Sequence, residues 1–410
     1  MSNVTHLQCI NCLKTLDPAI IDYTCPHCGS NLDVHYNMKD VAAQLTKKGL
    51  SENRDYSVFR YLPLLPIEND LHRPPVTVGW TPLIKAELLE KSLGIRELYL
   101  KDDGRNPSAS FKDRASVIGM IKALEKGRKI ITGASTGNAA SSLSCLTATK
   151  DLKTIIFVPK TAPQAKIAQL LVFGATVFTV RGTYDDAFDL CTSASEKWGW
   201  YNRNTGMNPY LSEGKKTCAM EISEQLGWKV PDALFVSVGD GCIIGGIHKG
   251  FRDLLELGFI DRIPRLFGVQ AHGSDAVTRA IESDGIIRSI EADTIADSIS
   301  VNLPRDGMKA VRAIKDTDGH ALRVTDEEIL QAIPKVARGA SVFGEPAGVT
   351  AFAGLIKALE QKLISPDSSV VCVITGNGLK DIASAMKSVG IPTEIPKGPE
   401  GLKTLESMIV

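Results

Sequence analysis

The feature that most constrains the fold is the alternation of strand-like and helix-like segments after residue 80. Short β-rich runs alternate there with stretches whose apolar residues recur every three or four positions. Strands that are separated by helices pair in parallel and are joined by right-handed crossovers. We therefore predict an α/β fold of two doubly wound domains with a cleft between them. The predicted strands are Leu98–Lys101, Lys129–Thr132, Thr154–Val158, Thr176–Val180, Ala233–Val238, Leu266–Gln270 and Val370–Ile374.

The charge balance of the 410 residues excludes several classes of partner. The chain carries 47 basic and 47 acidic side chains, and a neutral chain has no overall field that attracts nucleic acid or an anionic membrane. No apolar run reaches the ~18 residues of a membrane span, and the start lacks the pattern of a secretory signal. We expect a cytoplasmic protein with neither a nucleic-acid nor a membrane partner.

Four of the nine cysteines lie within the first 28 residues, as two C-x-x-C pairs: Cys9, Cys12, Cys25 and Cys28. This doubled spacing is typical of a structural zinc site, because each pair directs two thiolates at one tetrahedral ion. Disulfides and a redox pair are the alternatives, but cytosolic thiols stay reduced and a redox pair does not normally come doubled. Four thiolates leave no open position, so the Zn²⁺ should be structural.

The pattern along the chain predicts four segments. Residues 1–36 form a zinc-ribbon-like module, and residues 37–75 form an irregular linker, rich in charge and proline, that wraps the surface of a domain. A large domain comprises residues 76–120 and 206–410, and a small α/β domain comprises residues 121–205.

The loop at residues 106–114 carries a lysine in an unusual place. Lys112 lies in the first turn of a predicted helix, where the helix dipole disfavours a cation. Such a lysine can be held neutral as a nucleophile, although a solvated surface lysine is the common alternative. Ser108 or Ser110 is a candidate N-cap of this helix.

Three further loops follow predicted strands, at the edge where open α/β sheets bind ligands. Residues 131–140 are small and hydroxyl-rich, which suits an anion site at a helix N-terminus, or else simple N-capping by Ser135 or Thr136. Residues 238–246 hold four glycines that can cradle a phosphate or form a tight turn. At residues 373–381, Thr375 ends a strand and could offer its hydroxyl to a ligand, or belong to a plain turn. Together with Lys112, these loops fit pyridoxal phosphate, whose aldehyde reacts with an amine.

At these residues the sequence resembles the threonine synthase family of fold-type II (tryptophan synthase β-like) pyridoxal-phosphate enzymes. The segments N-P-S-A-S-F-K-D-R, S-T-G-N and T-G-N-G-L-K-D carry the resemblance. It implies that Lys112 forms the Schiff base, that Asn138 bonds the cofactor 3′-oxygen and that Thr375 faces the pyridine nitrogen. The implied phosphate loop is Gly239, Asp240, Gly241, Cys242 and Ile243, and the implied ligands of the substrate carboxylate are Ser135, Thr136 and the backbone of Ala139.

The resemblance further implies a homodimeric carbon–oxygen lyase that converts O-phospho-L-homoserine and water to L-threonine and phosphate. One departure from the family bears on the substrate: Leu211 stands where members often carry an arginine that is thought to bind the substrate phosphate. Lys215, Lys216 and Arg203 are candidate substitutes for that arginine.

That departure keeps other activities open. The first alternative is a related β-replacement or elimination enzyme, which would be either cysteate-synthase-like on O-phosphoserine or a threonine/serine dehydratase. The second alternative is a non-catalytic zinc-ribbon interaction protein.

Overall fold

The strands form three separate sheets in the computed structural model, which describes residues 2–20, 23–162 and 164–409. In chain order the strands are β1 (Val4–Cys9), β2 (Thr15–Leu16), β3 (Leu32–Tyr36), β4 (Leu83–Lys85), β5 (Glu97–Asp102), β6 (Ile130–Ala134), β7 (Lys153–Pro159), β8 (Thr176–Val180), β9 (Tyr201–Asn202), β10 (Ala233–Ser237), β11 (Arg265–Ala271), β12 (Ala321–Val324) and β13 (Ser369–Ile374).

Helices connect most of these strands. In chain order they are α1 (Met38–Gln44), α2 (Lys47–Glu52), α3 (Glu87–Leu93), α4 (Lys112–Glu125), α5 (Asn138–Thr147), α6 (Gln164–Val172), α7 (Tyr184–Trp198), α8 (Tyr210–Lys215), α9 (Thr217–Gln225), α10 (Cys242–Glu256), α11 (Ala276–Glu282), α12 (Gly307–Lys315), α13 (Asp326–Ala340), α14 (Pro346–Glu360), α15 (Ile382–Val389) and α16 (Pro399–Ile409). Within the described ranges, none of them combines the length and the apolarity that crossing a bilayer requires.

The six-stranded sheet has the order β12-β11-β10-β13-β5-β4, and all its pairs are parallel except β4 with β5. Both of its faces are covered. Leu234 and Val236 of β10 share a buried cluster with Ile247 of α10, whereas Phe235 shares the other cluster with Phe352 of α14. This double coverage explains why β10 is a continuous apolar run rather than an alternating one.

The four-stranded sheet is wholly parallel, in the order β8-β7-β6-β9. Ile156 of β7 packs in the cluster that contains Leu143 of α5, and Phe157 packs in the cluster that contains Phe188 of α7. Helices therefore cover both faces here as well, and the predicted α/β class with two doubly wound sheets is confirmed. The predicted strands are also confirmed, with ends that differ by at most two residues.

The first residues form a small antiparallel sheet of order β2-β1-β3, in which Cys9 pairs with Leu32. The two cysteine pairs lie at the end of β1 and in the segment before β3. Residues 1, 21 and 22 of this predicted module lie outside the described residues.

The prediction that residues 37–75 are irregular is wrong for much of their length. They contain α1, α2 and a 3₁₀ helix over Val58–Leu64. The Thr46 hydroxyl accepts a hydrogen bond from Gly49 N at 3.0 Å and so caps α2. Tyr61 and Leu64 are fully buried, so the segment contributes to the core.

A buried ion-pair cluster holds the first turn of α4. The Arg114 guanidinium lies 2.6 Å from Asp103 and 2.5 Å from Glu221, and Lys101 reaches Glu221 at 2.7 Å. All four side chains are inaccessible to solvent. The cluster joins β5, the turn after it, α4 and α9, two residues from Lys112.

We predict that Arg114→Met lowers the free energy of unfolding by about 3–5 kcal/mol, because two buried carboxylates lose their common partner. Urea unfolding followed by circular dichroism measures this change. The control is Arg288→Met, which removes an exposed partner of Asp284 and should hardly move the midpoint. Equal shifts for the two variants would contradict the assigned importance of the cluster.

Candidate active site

The loop before α4 is bonded to the loop after β13, which places Lys112 beside Thr375. Phe111 N donates to Thr375 O at 2.8 Å, and Asn377 N donates to Ala109 O at 3.1 Å. Both loops leave the carboxyl ends of neighbouring strands, since β5 pairs with β13 in parallel. Lys112 is the first residue of α4, as the sequence predicts.

The predicted capping of α4 by Ser108 or Ser110 is wrong, because the N-cap is Phe111 and no side chain caps the helix. Asp113 is the reason, since its carboxylate accepts hydrogen bonds from Ser108 N at 2.7 Å and Ser108 Oγ at 2.5 Å. A carboxylate in the first turn also suits the positive end of the helix dipole.

Burial, together with the smaller effect of the positive charge of Lys215, lowers the pKa of Lys112 from 10.5 to about 8. About a tenth of this amine is therefore uncharged at pH 7, far more than for an ordinary lysine. An uncharged amine is a nucleophile and a base, so the environment gives Lys112 the reactivity that the sequence suggested.

A cavity of about 420 Å³ lies at this edge and is lined from both larger sheets. It brings Lys112 together with Ser135, Thr136, Asn138 and Ala139. A narrow recess of about 30 Å³ shares Lys112 and Asn138 with the cavity. The recess is lined in addition by Gly239, Asp240, Gly241, Cys242, Ile243 and Thr375. The structure thus gathers all the predicted cofactor and substrate residues around one space.

The loop before α5 leaves the helix N-terminus free for a ligand. Its N-cap is Gly137, and no side chain caps the helix. Ser135 Oγ accepts from Gly137 N at 3.1 Å, within the loop. The alternative of N-capping by Ser135 or Thr136 is therefore wrong, and the first residues of α5 line the cavity.

The glycine loop before α10 is shaped by close backbone approaches. A Cβ at Gly239 would lie 2.8 Å from the Ile299 Cα, and one at Gly241 would lie 2.7 Å from the Asp306 carbonyl oxygen. Gly241 also has φ = +90°, a conformation that favours glycine. It is the N-cap of the 15-residue α10, so the open N-terminus of this helix has the donors and the dipole for a phosphate.

Among the lining residues that were not predicted, two accept hydrogen bonds from Asn138. Glu345 is buried, and its Oε1 accepts a hydrogen bond from Asn138 Nδ2 at 2.7 Å. Ser298 Oγ accepts from the same Nδ2 at 3.2 Å. Burial raises the pKa of Glu345. An acidic residue directly before a proline and an apolar helix was the available signal for Glu345.

The four N-terminal cysteines form one cluster, and their sulfur atoms lie within 4.8 Å of one another. The closest pairs are Cys9 with Cys28 at 3.4 Å and Cys12 with Cys25 at 3.6 Å. These distances exceed the ~2.05 Å of a disulfide bond, and all four cysteines are free. The arrangement suits a tetrahedral ion with four sulfur ligands.

The remaining cysteines are not part of this cluster. Cys191, Cys218, Cys242 and Cys372 are buried and Cys145 is half-buried.

Comparison with known proteins agrees with this geometry. Residues 76–376 match the family described as pyridoxal-phosphate dependent enzyme. Threonine synthase from Methanocaldococcus jannaschii is 38% identical over 391 residues, which cover 95% of this chain and 96% of that protein. Threonine synthase from Methanosarcina acetivorans is 37% identical over 403 residues, covering 97% of this chain and 98% of that protein.

Among solved structures, processed threonine deaminase isoform 2 from Solanum lycopersicum is similar with a TM-score of 0.66. It is 26% identical, and the match covers 75% of this chain and 87% of that one. Fold, site geometry and sequence identity agree: the chain belongs to the threonine synthase family of pyridoxal-phosphate dependent enzymes.

Proposed function

We propose that the protein converts O-phospho-L-homoserine and water to L-threonine and phosphate. The observation that carries the proposal is that a buried lysine of lowered pKa and two uncapped helix N-termini converge on the cavity and its adjoining recess. Threonine synthases that are 37–38% identical over almost the whole chain support the same activity.

The residues around the recess fit pyridoxal phosphate. Backbone N–H groups of Gly239–Ile243 are suited to its phosphate, because glycines expose them at the start of α10. Asn138 and Thr375 are placed to meet polar atoms of its ring. When bound, the cofactor supplies an aldehyde that bonds to amines and a ring that delocalises carbanion charge.

The loop before α5 is suited to the carboxylate of the amino-acid substrate. Ser135 and Thr136 offer hydroxyls, and Ala139 offers a backbone N–H in the first turn of α5. Fixing the carboxylate there orients the α-carbon relative to Lys112, which lines the same cavity.

Lys112 is the group suited to move protons at the substrate carbons. With a pKa of about 8, its amine can accept a proton near neutral pH and return it later in the same cycle. No other lysine lines the cavity within the described residues, so the role falls to Lys112.

The activity is tested by incubating the holoenzyme with O-phospho-L-homoserine and measuring phosphate and L-threonine. We expect equal amounts of the two products. Parallel reactions contain O-phosphoserine with sulfite, L-threonine alone, and L-serine alone. Cysteate or a 2-oxo acid formed in place of threonine would overturn the proposal and favour the β-replacement or dehydratase activity.

The pKa of Lys112 gives a pH prediction. Cofactor-free protein should take up pyridoxal phosphate faster as the pH rises, and the rate should level off above about 8, where the amine has lost its proton. Lys215→Gln removes a positive neighbour, so the midpoint should move to higher pH. Stopped-flow measurement of the visible absorption follows the uptake.

Lys166→Gln is the control, because Lys166 is partly exposed and pairs with Asp297 at 2.5 Å. Its midpoint should match that of the wild type. A wild-type midpoint near 10.5, the ordinary pKa of lysine, would contradict the assignment.

We further propose that Cys9, Cys12, Cys25 and Cys28 bind one structural Zn²⁺. The module contacts the site, because Asn31 Nδ2 donates to Asp306 Oδ1 at 2.5 Å and Asp306 N donates to Asp240 O at 3.0 Å. The metal would therefore stabilise the wall against which the glycine loop packs.

Protein purified with reduced thiols should contain about one zinc per chain. Cys12→Ser should lower the zinc content and weaken retention of pyridoxal phosphate during dialysis. Elemental analysis measures the metal and visible absorption measures the cofactor. Cys145→Ser changes a cysteine outside the cluster and should alter neither quantity. Full zinc content in Cys12→Ser would refute the ligand assignment.

A homodimer and a cytoplasmic location stay predictions. Light scattering coupled to size-exclusion chromatography tests the first, and cell fractionation tests the second.

A further inference from the structure

Arg203 is a buried cation without a counter-charge. Arg203 is only 3% exposed, and it forms no ion pair among the described residues. Nε and Nη2 donate to Ser116 Oγ at 3.2 and 3.1 Å, and Nη1 donates to Thr205 Oγ1 at 3.1 Å. Each Nη nitrogen retains a second N–H, because a guanidinium carries two on each.

The other candidate cations differ from Arg203. Lys216 lies 2.6 Å from Glu213 and 2.7 Å from Asp253, so its charge is already neutralised. Lys215 is also buried and forms no ion pair among the described residues, but it lines a separate small space beside Cys242 and not the large cavity. Burying an unpaired charge is unfavourable, which indicates that an anion completes the surroundings of Arg203. Burial also lowers the pKa of Arg203, to about 10.

The position of Arg203 points to the substrate. It directly follows β9, and its N–H donates to Thr132 O of β6 at 2.8 Å. Arg203 therefore lies one strand away from the Ser135–Ala139 loop, and it lines the same cavity as Lys112. An anion at Arg203 and a carboxylate at the loop would be the two ends of one short ligand.

Leu211 lies in the same part of the structure as Arg203. A Cβ at Gly119 of α4 would lie 2.9 Å from the Leu211 Cδ2 and 3.7 Å from the Arg203 Cγ. Both side chains thus pack over the same glycine. Leu211 therefore lies near the stem of Arg203, whose guanidinium bonds Ser116 and Thr205.

We propose that Arg203 binds the phosphate group of the substrate through its free Nη hydrogens, and so selects phosphorylated amino acids. This inference rests on the proposed function. A guanidinium matches phosphate because two parallel N–H groups meet two oxygens of the anion.

The test measures inorganic phosphate as a competitive inhibitor of the holoenzyme, together with KM and kcat for O-phospho-L-homoserine. Arg203→Gln should raise KM and the inhibition constant of phosphate by about tenfold or more, with a smaller effect on kcat. The dissociation constant of L-threonine, read from the visible spectrum, should stay within about twofold because threonine has no phosphate. Ser116→Ala should shift the same constants less, by loosening the guanidinium.

Arg60→Gln is the matched control, since Arg60 is buried but is paired with Glu224 at 2.6 Å. It should lower thermal stability and leave the inhibition constant of phosphate unchanged. An unchanged constant in Arg203→Gln, or a loss of phosphate binding in Lys215→Gln alone, would overturn the inference.

Thermal shift separates this inference from the proposed function. Phosphate should raise the melting temperature of the wild-type holoenzyme but not that of Arg203→Gln. If the wild type makes no threonine, the proposed function is wrong. The phosphate-dependent change in melting temperature would still test whether Arg203 binds phosphate. Equal shifts in the two proteins would refute the role of Arg203 even if threonine is formed.

Discussion

The buried contacts of Arg114 with Asp103 and Glu221 are the interaction on which the site depends. They join the end of β5 to the first turn of α4 and to α9, where no water competes for the charges. Lys112 lies two residues before Arg114, so the cluster fixes the point at which its side chain leaves the helix. The bond from Phe111 N to Thr375 O then sets the distance between Lys112 and the end of β13. The buried ion-pair cluster thus positions Lys112 without taking part in the chemistry itself.

Buried cations fall into two kinds in this molecule. Arg114 and Lys216 have carboxylate partners within 2.5–2.7 Å, as structural charges require. Arg203 has only hydroxyl partners, and Lys112 has a lowered pKa in place of a partner. An uncompensated charge is tolerated in a protein interior only where a ligand or a proton equilibrium balances it. Arg203 and Lys112 both line the large cavity, whereas Lys215, which is buried and has no ion pair among the described residues, lies outside it.

Much of the fold could be predicted from the sequence, because the central strands are buried on both faces and read as apolar runs. The strands β4, β9 and β12 could not be predicted, because each is only two to four residues long and so short a segment shows no periodic pattern. Helices α1 and α2 were not predicted because they lie in a charged segment that contains prolines, although Thr46 is a residue type typical of a helix N-cap. Short edge elements gain their stability from contacts with distant segments, which local patterns do not encode.

The loops of the site were predictable because glycine, hydroxyl and lysine positions follow strand ends. The partners of each side chain were not. Ser108 donates its hydrogen bonds to Asp113 and does not cap the helix. Asn138 bonds Glu345, which lies more than two hundred positions away in the sequence. Lys215, Lys216 and Arg203 were equal candidates for binding an anion on sequence alone. Ion pairing sets Lys216 apart, and only Arg203 of the other two lines the large cavity.

The central claim is that Lys112 is the lysine that carries the cofactor. It is tested most directly by reducing the holoenzyme with borohydride, digesting it and locating the pyridoxyl group by mass spectrometry. The account predicts the added mass on the peptide that contains Lys112. Its appearance on Lys215 or another lysine, or its absence from a protein that retains the visible absorption, would contradict the account.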